Sequence, residues 1–108
     1  MNPRVQADEA EVGRWLRNFA TSHAKREDSR IEAEVRAVQG PESRTYELSL
    51  VLGAQGGAPV SVRLGAVSYV EVAEGRTRLD WCATQARRIR QAARDLSGLT
   101  RADESRPA

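Results

Sequence analysis

The sequence has few residues that build metal or redox sites: its 108 residues include one cysteine, Cys82, and one histidine, His23. A single cysteine forms neither an intramolecular disulfide nor a thiolate cluster for zinc. The sequence also lacks the Walker loop, GxGxxG, GxSxG and HExxH patterns,. We therefore expect no disulfide framework, no metal and no cofactor.

Aromatic residues are scarce at 5%, and long apolar segments are absent. No stretch approaches the roughly 18 apolar residues of a membrane span, and the first residues do not form an apolar leader. We expect a chain that does not enter membranes and that works in the cytoplasm, with a core of Val, Leu, Ile and Ala.

What remains is the composition of one small globular domain. Hydrophobic residues make up 40% and charged residues 30%, which is the range of chains that fold. A chain of this length has room for one hydrophobic core. We expect a single domain over residues 1–108, with an ordered core at about 8–98 and frayed ends at 1–7 and 100–108.

The first third of the chain has the periodicity of an amphipathic helix. Apolar residues recur at three- and four-residue spacings from Asp8 to about Lys25, and Asp8 with Glu11 fits a capping box,. The charged stretch 25–30 interrupts this spacing, and we interpret it as a solvated connection.

The pattern then changes to period two, which is typical of strands with one buried face. Turn residues at 40–43 and a glycine-containing loop at 53–57 divide this region into short runs,. The alternation predicts three antiparallel strands, at 31–38, 44–52 and about 59–65.

A helical pattern returns in the last third. Ser68 and Glu71 fit a second capping box. The apolar positions after them are Leu79, Cys82, Ala86, Ile89, Ala93 and Leu96,. An unbroken helix from Tyr69 to Leu96 would be about 42 Å long. Gly75 therefore marks either a kink or the true helix start, and residues 69–73 are either helical, which we favour, or a fourth strand.

These elements predict an α+β fold of the order α-β-β-β-α. The three strands form an antiparallel meander, and two helices pack on one face of it, the second of them long and C-terminal. The other face of the sheet is polar and open to water or to a partner.

The residues capable of catalysis lie on surfaces where a structural role is expected. His23 falls on the apolar side of the first helix, and Cys82 falls on the apolar seam of the last helix, where a thiol behaves as a small hydrophobe. Glu32 and Glu34 share a strand face with Arg36, which is typical of a solvated surface. We therefore expect no catalytic residues and no enzyme.

Charge is distributed unevenly. Residues 69–101 contain seven arginines and four acidic residues, a net charge of +3, whereas residues 1–68 contain nine of each sign. On a single helix four of the arginines would share one flank and could follow phosphates. These candidate contacts to nucleic acid or another partner are Arg76, Arg87, Arg90 and Arg94.

The element order, together with the Gly40-Pro41 turn and Tyr46 beyond it, resembles the double-stranded-RNA-binding domain over about thirty residues. The resemblance implies a first hairpin that enters the minor groove and a basic cluster where the last helix begins. Residues 68–73 contain Glu71 and no basic residue. Arg76 and Arg78 could replace that cluster only if the helix began near Gly75.

The sequence thus favours a small non-catalytic module that acts through protein–protein contacts, using the long helix or the open sheet face. A homodimer is one arrangement that would cover the helix seam, since isologous pairs are the commonest assemblies. The alternative is a nucleic-acid-binding domain that uses the four arginines.

Overall fold

The backbone follows the order that the periodicity predicts. The computed structural model describes residues 3–39, 44–53 and 57–104, with side chains over 9–38, 44–53 and 57–99. The elements are α1 (Pro3–Glu27), β1 (Ile31–Gln39), β2 (Arg44–Leu52), β3 (Val60–Ser68), α2 (Tyr69–Gly75) and α3 (Leu79–Glu104). The α+β class and the α-β-β-β-α order are confirmed, with the final helix divided in two. The predicted turn at 40–43, most of the 53–57 loop and the last four residues lie outside the described part of the chain.

The three strands form one antiparallel sheet in the order β1-β2-β3. Ile31 pairs with Leu52 and Ala37 with Tyr46, so the alternating apolar residues of β1 and β2 point to the same side. Between β2 and β3 the register shifts at Leu48 and Ser49, because β3 contains a bulge.

The bulge explains why β3 runs three residues beyond its predicted end. The apolar alternation stops at Gly65-Ala66, which suggested the end of the strand. Leu48 pairs with Gly65 and Ser49 with Arg63, so β3 contributes one extra residue and Val67 returns to the inner face. Gly65 has a φ of 131°, a backbone conformation that residues other than glycine rarely adopt.

The hydrophobic core lies between the sheet and the helices, with α1 over β1 and α3 mainly over β3. Its largest fully buried side chains are Leu16, Ile31, Leu50, Leu52, Ile89, Leu96, Val12 and Val72. Some residues expected inside are exposed: Val60 is 41% exposed at the start of β3, and Leu79 is 90% exposed at the first turn of α3.

The first helix is longer than expected at both ends. It begins at Pro3, a residue whose fixed φ suits the first helical turn, so Asp8 and Glu11 lie inside the helix and the proposed capping box is wrong. The stretch 25–30 is not a solvated connection throughout. Asp28 accepts hydrogen bonds from Arg30 and from Ser97 of α3, and Arg30 is the main reason that the pKa of this carboxyl lies well below its ordinary value.

The last helix is broken at Gly75–Arg78. Ser68 caps α2 by accepting the Glu71 N–H, as predicted. Residues 69–75 are helical, which settles the choice against a fourth strand. The chain then turns, with the Arg78 N–H donating to the Gly75 carbonyl at 2.8 Å, and α3 continues to Glu104, past its expected end near Gly98.

Candidate functional site

A groove of about 450 Å³ lies between α1 and the β1–β2 half of the sheet. It forms because the N-terminal half of α1 lies over the end of β1 without covering the inner face of that strand completely. Ala37 is exposed there, and Val35 is half-buried. The described lining residues are Glu9, Ala10, Gly13, Arg14, Arg17, Val35, Ala37, Val38, Arg44, Thr45 and Tyr46.

Tyr46 forms the floor of the groove and holds α1 against the sheet. Its hydroxyl donates to the Glu9 carbonyl of α1 at 2.6 Å. Burial and, next, the Glu9 carboxylate raise the pKa of Tyr46 to about 12. A Cβ at Gly13 would lie 3.1 Å from the Tyr46 ring, so glycine permits this close approach.

Three arginines give the rim of the groove a positive charge. Arg14 and Arg17 are exposed on α1 and have no ion pair among the described residues. Arg44 Nε forms an ion pair with Glu9 Oε1 at 2.6 Å, and this oxygen has no hydrogen-bond partner among the described residues. Among the described lining residues, one carboxylate thus offsets one of three guanidinium groups, and this part of the groove combines an apolar floor with excess positive charge.

The same flank of α1 faces the outer edge of β1. Thr21 Oγ1 accepts the backbone N–H of Ala33 at 3.0 Å, so the polar groups of Ala33 point away from β2. Backbone groups of alternate residues in an antiparallel strand point to the same side. Val35 and Ala37 therefore also direct their N–H and C=O groups outward, and no hydrogen bond to them from that side occurs among the described residues.

The opposite edge of the sheet is built differently. On β3 the bulge interrupts the ladder near Leu64, and the guanidinium of Arg88 donates to the Leu64 carbonyl at 3.3 Å. Bulges and covering side chains are usual means of blocking an edge strand. β1 has a regular register along its nine residues. Among the described residues its outer edge is covered only at its start, where the Asp28 carbonyl accepts the Ile31 N–H and Thr21 Oγ1 accepts the Ala33 N–H.

The structure separates the four arginines that the sequence analysis placed on one flank. Arg76 follows the last turn of α2, where its backbone N–H caps that helix, and so it is not on α3. Arg90 Nε and Arg94 Nε lie 3.1 and 3.2 Å from Glu27 Oε1 of α1, which leaves Arg87 exposed without an ion pair in the described region. Contacts of these residues with nucleic acid are untested and stay a prediction.

His23 and Cys82 have different neighbours. The ring of His23 packs edge-on against Phe19, and burial lowers its pKa. The Cys82 thiol lies 3.6 Å from the Gly75 carbonyl in the turn before α3. Among the described residues no three His, Cys, Asp or Glu side chains come close enough to hold a metal ion.

The groove residues were missed at the sequence level. Arg14, Arg17 and Thr21 occur at three- and four-residue spacings, which places them on one flank of α1. That spacing could have identified the flank. Its proximity to the β1 edge depends on the packing of α1 against the sheet, which no local pattern encodes.

None of the helices in the described ranges is long and apolar enough to cross a membrane. The chain matches no protein-family model, no curated protein and no solved structure. The resemblance to the double-stranded-RNA-binding domain therefore gains no support beyond the shared element order.

Proposed function

We propose that this chain is a non-catalytic module that binds another protein through the groove between α1 and β1. The observation that carries the proposal is the open edge of β1 beside this groove, where the outward backbone groups of Val35 and Ala37 meet an apolar floor and the guanidinium groups of Arg14 and Arg17. Within the described part of the chain, these backbone groups have no hydrogen bond from that side and the two arginines have no ion pair. Partners commonly use such edges, because main-chain hydrogen bonds supply affinity and neighbouring pockets supply specificity. The proposal places the module in the cytoplasm, where Cys82 would stay reduced.

The other two surfaces considered for protein contacts support the proposal less well. On α3, Ile89, Ala93 and Leu96 are buried by the chain's own core, so only the first part of the seam, at Leu79, Cys82 and Ala86, remains for a second copy. The outer face of the sheet carries opposite charges that pair with each other, such as Arg63 with Glu47 at 3.1 Å. Homodimer formation stays a prediction, which sedimentation of the isolated chain tests.

Site-specific photocrosslinking tests the groove. A benzoylphenylalanine replaces Ala10, which is exposed in the groove, or Ala66, which is exposed on the outer face of β3. In the native host we expect a discrete crosslinked protein from position 10 and not from position 66. Replacing Arg14 and Arg17 by Gln should abolish it, whereas Arg36→Gln on the outer face of β1 should not.

Equal crosslinking from both positions, or crosslinking from position 10 that is insensitive to the double arginine substitution, would contradict the proposal. Crosslinked nucleic acid would favour the alternative function. That alternative has its own test: binding to RNA or DNA that persists at about 150 mM salt, and that Arg87→Gln weakens, would support it, since phosphate contacts are salt-dependent.

A further inference from the structure

We infer that the partner segment is an extended acidic peptide that adds a fourth strand to the sheet at the β1 edge. This inference rests on the proposed function and names the chemistry of its ligand. It draws on three features of the groove: the direction of the open backbone groups, the charge of the rim, and the position of Thr21.

The backbone groups favour an extended ligand. Val35 and Ala37 present N–H and C=O groups in the plane of the sheet, at the spacing of a β-ladder. Only another strand satisfies such groups in series, because its own N–H and C=O groups repeat with the same period. A helix or a folded surface would satisfy one or two of them.

The side chains favour an acidic ligand over a second copy of the chain. A strand paired with β1 would direct alternate side chains under α1, toward the apolar floor and the guanidinium groups of Arg14 and Arg17. Acidic side chains at some of these positions would complement the free charge. Two copies paired edge to edge would instead bring Arg14 and Arg17 of one copy close to those of the other, which like-charge repulsion disfavours.

Thr21 limits the length of the ligand. Its hydroxyl already occupies the N–H of Ala33, so the open edge begins at Val35 and continues to the end of β1 at Gln39. At about 3.3 Å per residue this corresponds to a ligand segment of roughly five residues. Thr21 thus acts as a stop at one end of the binding edge.

The test uses a capped probe peptide, Glu-Thr-Val-Thr-Glu-Thr-Val, whose acidic and apolar residues alternate on one face. We titrate it into the isotope-labelled full chain and follow the backbone amide resonances. We expect saturable shifts at Val35 and Ala37, and not on α3. A peptide with Lys in place of Glu should bind roughly tenfold more weakly or not at all.

Two N-methylated versions of the probe test strand pairing directly. Methyl groups on alternate amides block one edge of an extended peptide and leave the other edge intact. Only one edge of the bound peptide can face β1, so one version should lose binding and the other should retain it. Equal behaviour of the two versions would show that the peptide does not bind as a strand.

Protein variants give an independent check. Ala37→Pro removes an outward N–H without removing a bond to β2, and proline is tolerated at such edge positions; it should abolish binding of the probe. Arg14→Gln with Arg17→Gln should weaken binding roughly tenfold, and Arg36→Gln should leave it unchanged. A urea melt confirms that each variant is folded, and the N-methyl comparison decides the question if the proline variant is not.

The outcomes separate this inference from the proposed function. Groove binding that is insensitive to N-methylation and to Ala37→Pro would overturn the strand model and leave a protein-binding groove. Stronger binding of the Lys peptide would overturn the acidic ligand. No binding of any probe, with crosslinking from position 10 intact, would overturn the extended acidic ligand alone, whereas loss of that crosslinking would overturn the proposed function.

Discussion

The indole of Trp81 lies where a side chain of Gly75 would stand. A Cβ at Gly75 would overlap the ring, and the Trp81 Nε1 donates to Glu71 Oε2 of α2 at 3.1 Å. The ring centroids of Trp81 and of Trp15 on α1 are 6.2 Å apart. One side chain near the start of α3 therefore fixes the angle at which α2 meets α3, and glycine at position 75 makes that packing possible.

We predict that Gly75→Ala destabilises the fold by roughly 1–3 kcal/mol, because the added methyl group must displace the indole from a packed site. Gly98→Ala is the matched control. Gly98 lies in α3, and a Cβ added there would meet no other part of the fold within 4 Å. Alanine should therefore stabilise the helix at this position by roughly 0.5–1 kcal/mol. Urea melts of the two variants give the comparison; a neutral or stabilising Gly75→Ala would contradict the account of the break.

Because Tyr46 is buried, we predict that the fold loses stability at alkaline pH as its hydroxyl ionises. Its pKa is raised to about 12 in the folded chain, above the value of about 10 in unfolded peptides. The neutral form therefore favours folding below pH 10, and this contribution is lost as the pH rises from 10 through 12. Tyr46→Phe should cost about 1 kcal/mol at neutral pH, through the lost bond to the Glu9 carbonyl.

The measurement is the free energy of unfolding of both proteins from pH 8 to 12. The difference between them should shrink as the pH rises, because only the wild type loses the tyrosine contribution. A constant difference across this range would show that Tyr46 does not ionise on unfolding as described.

A substitution at Ile89 tests whether the sheet and α3 share a core. Ile89 is 1% exposed, in a cluster with Leu48 and Leu50. Ile89→Ala should cost roughly 2–5 kcal/mol. Leu79→Ala, at the exposed start of the same helix, should change the stability by less than about 0.5 kcal/mol. A urea melt that gave similar losses for the two variants would contradict the placement of the core.

Local patterns predict the strands better than they predict the groove. Strict alternation defined β2 to the residue, and it failed in β3 only where Gly65 introduces a bulge. The break after Gly75 depends on Trp81, six residues further on, and on Trp15 in another helix. The open edge depends on how α1 crosses β1, so the sequence alone marks Arg14 and Arg17 only as polar residues of an amphipathic helix.

Amide hydrogen exchange along β1 tests the central claim most directly, because the strand contains its own controls. In the free chain the backbone amides of Glu34 and Arg36, which point toward β2, should exchange slowly. The amide of Ala33 should also exchange slowly, because it donates to Thr21 Oγ1. Val35 and Ala37 should exchange rapidly, and the acidic probe peptide should slow both. Slow exchange of Val35 and Ala37 in the free chain, or rapid exchange that the bound peptide leaves unchanged, would contradict an open edge that receives a partner strand.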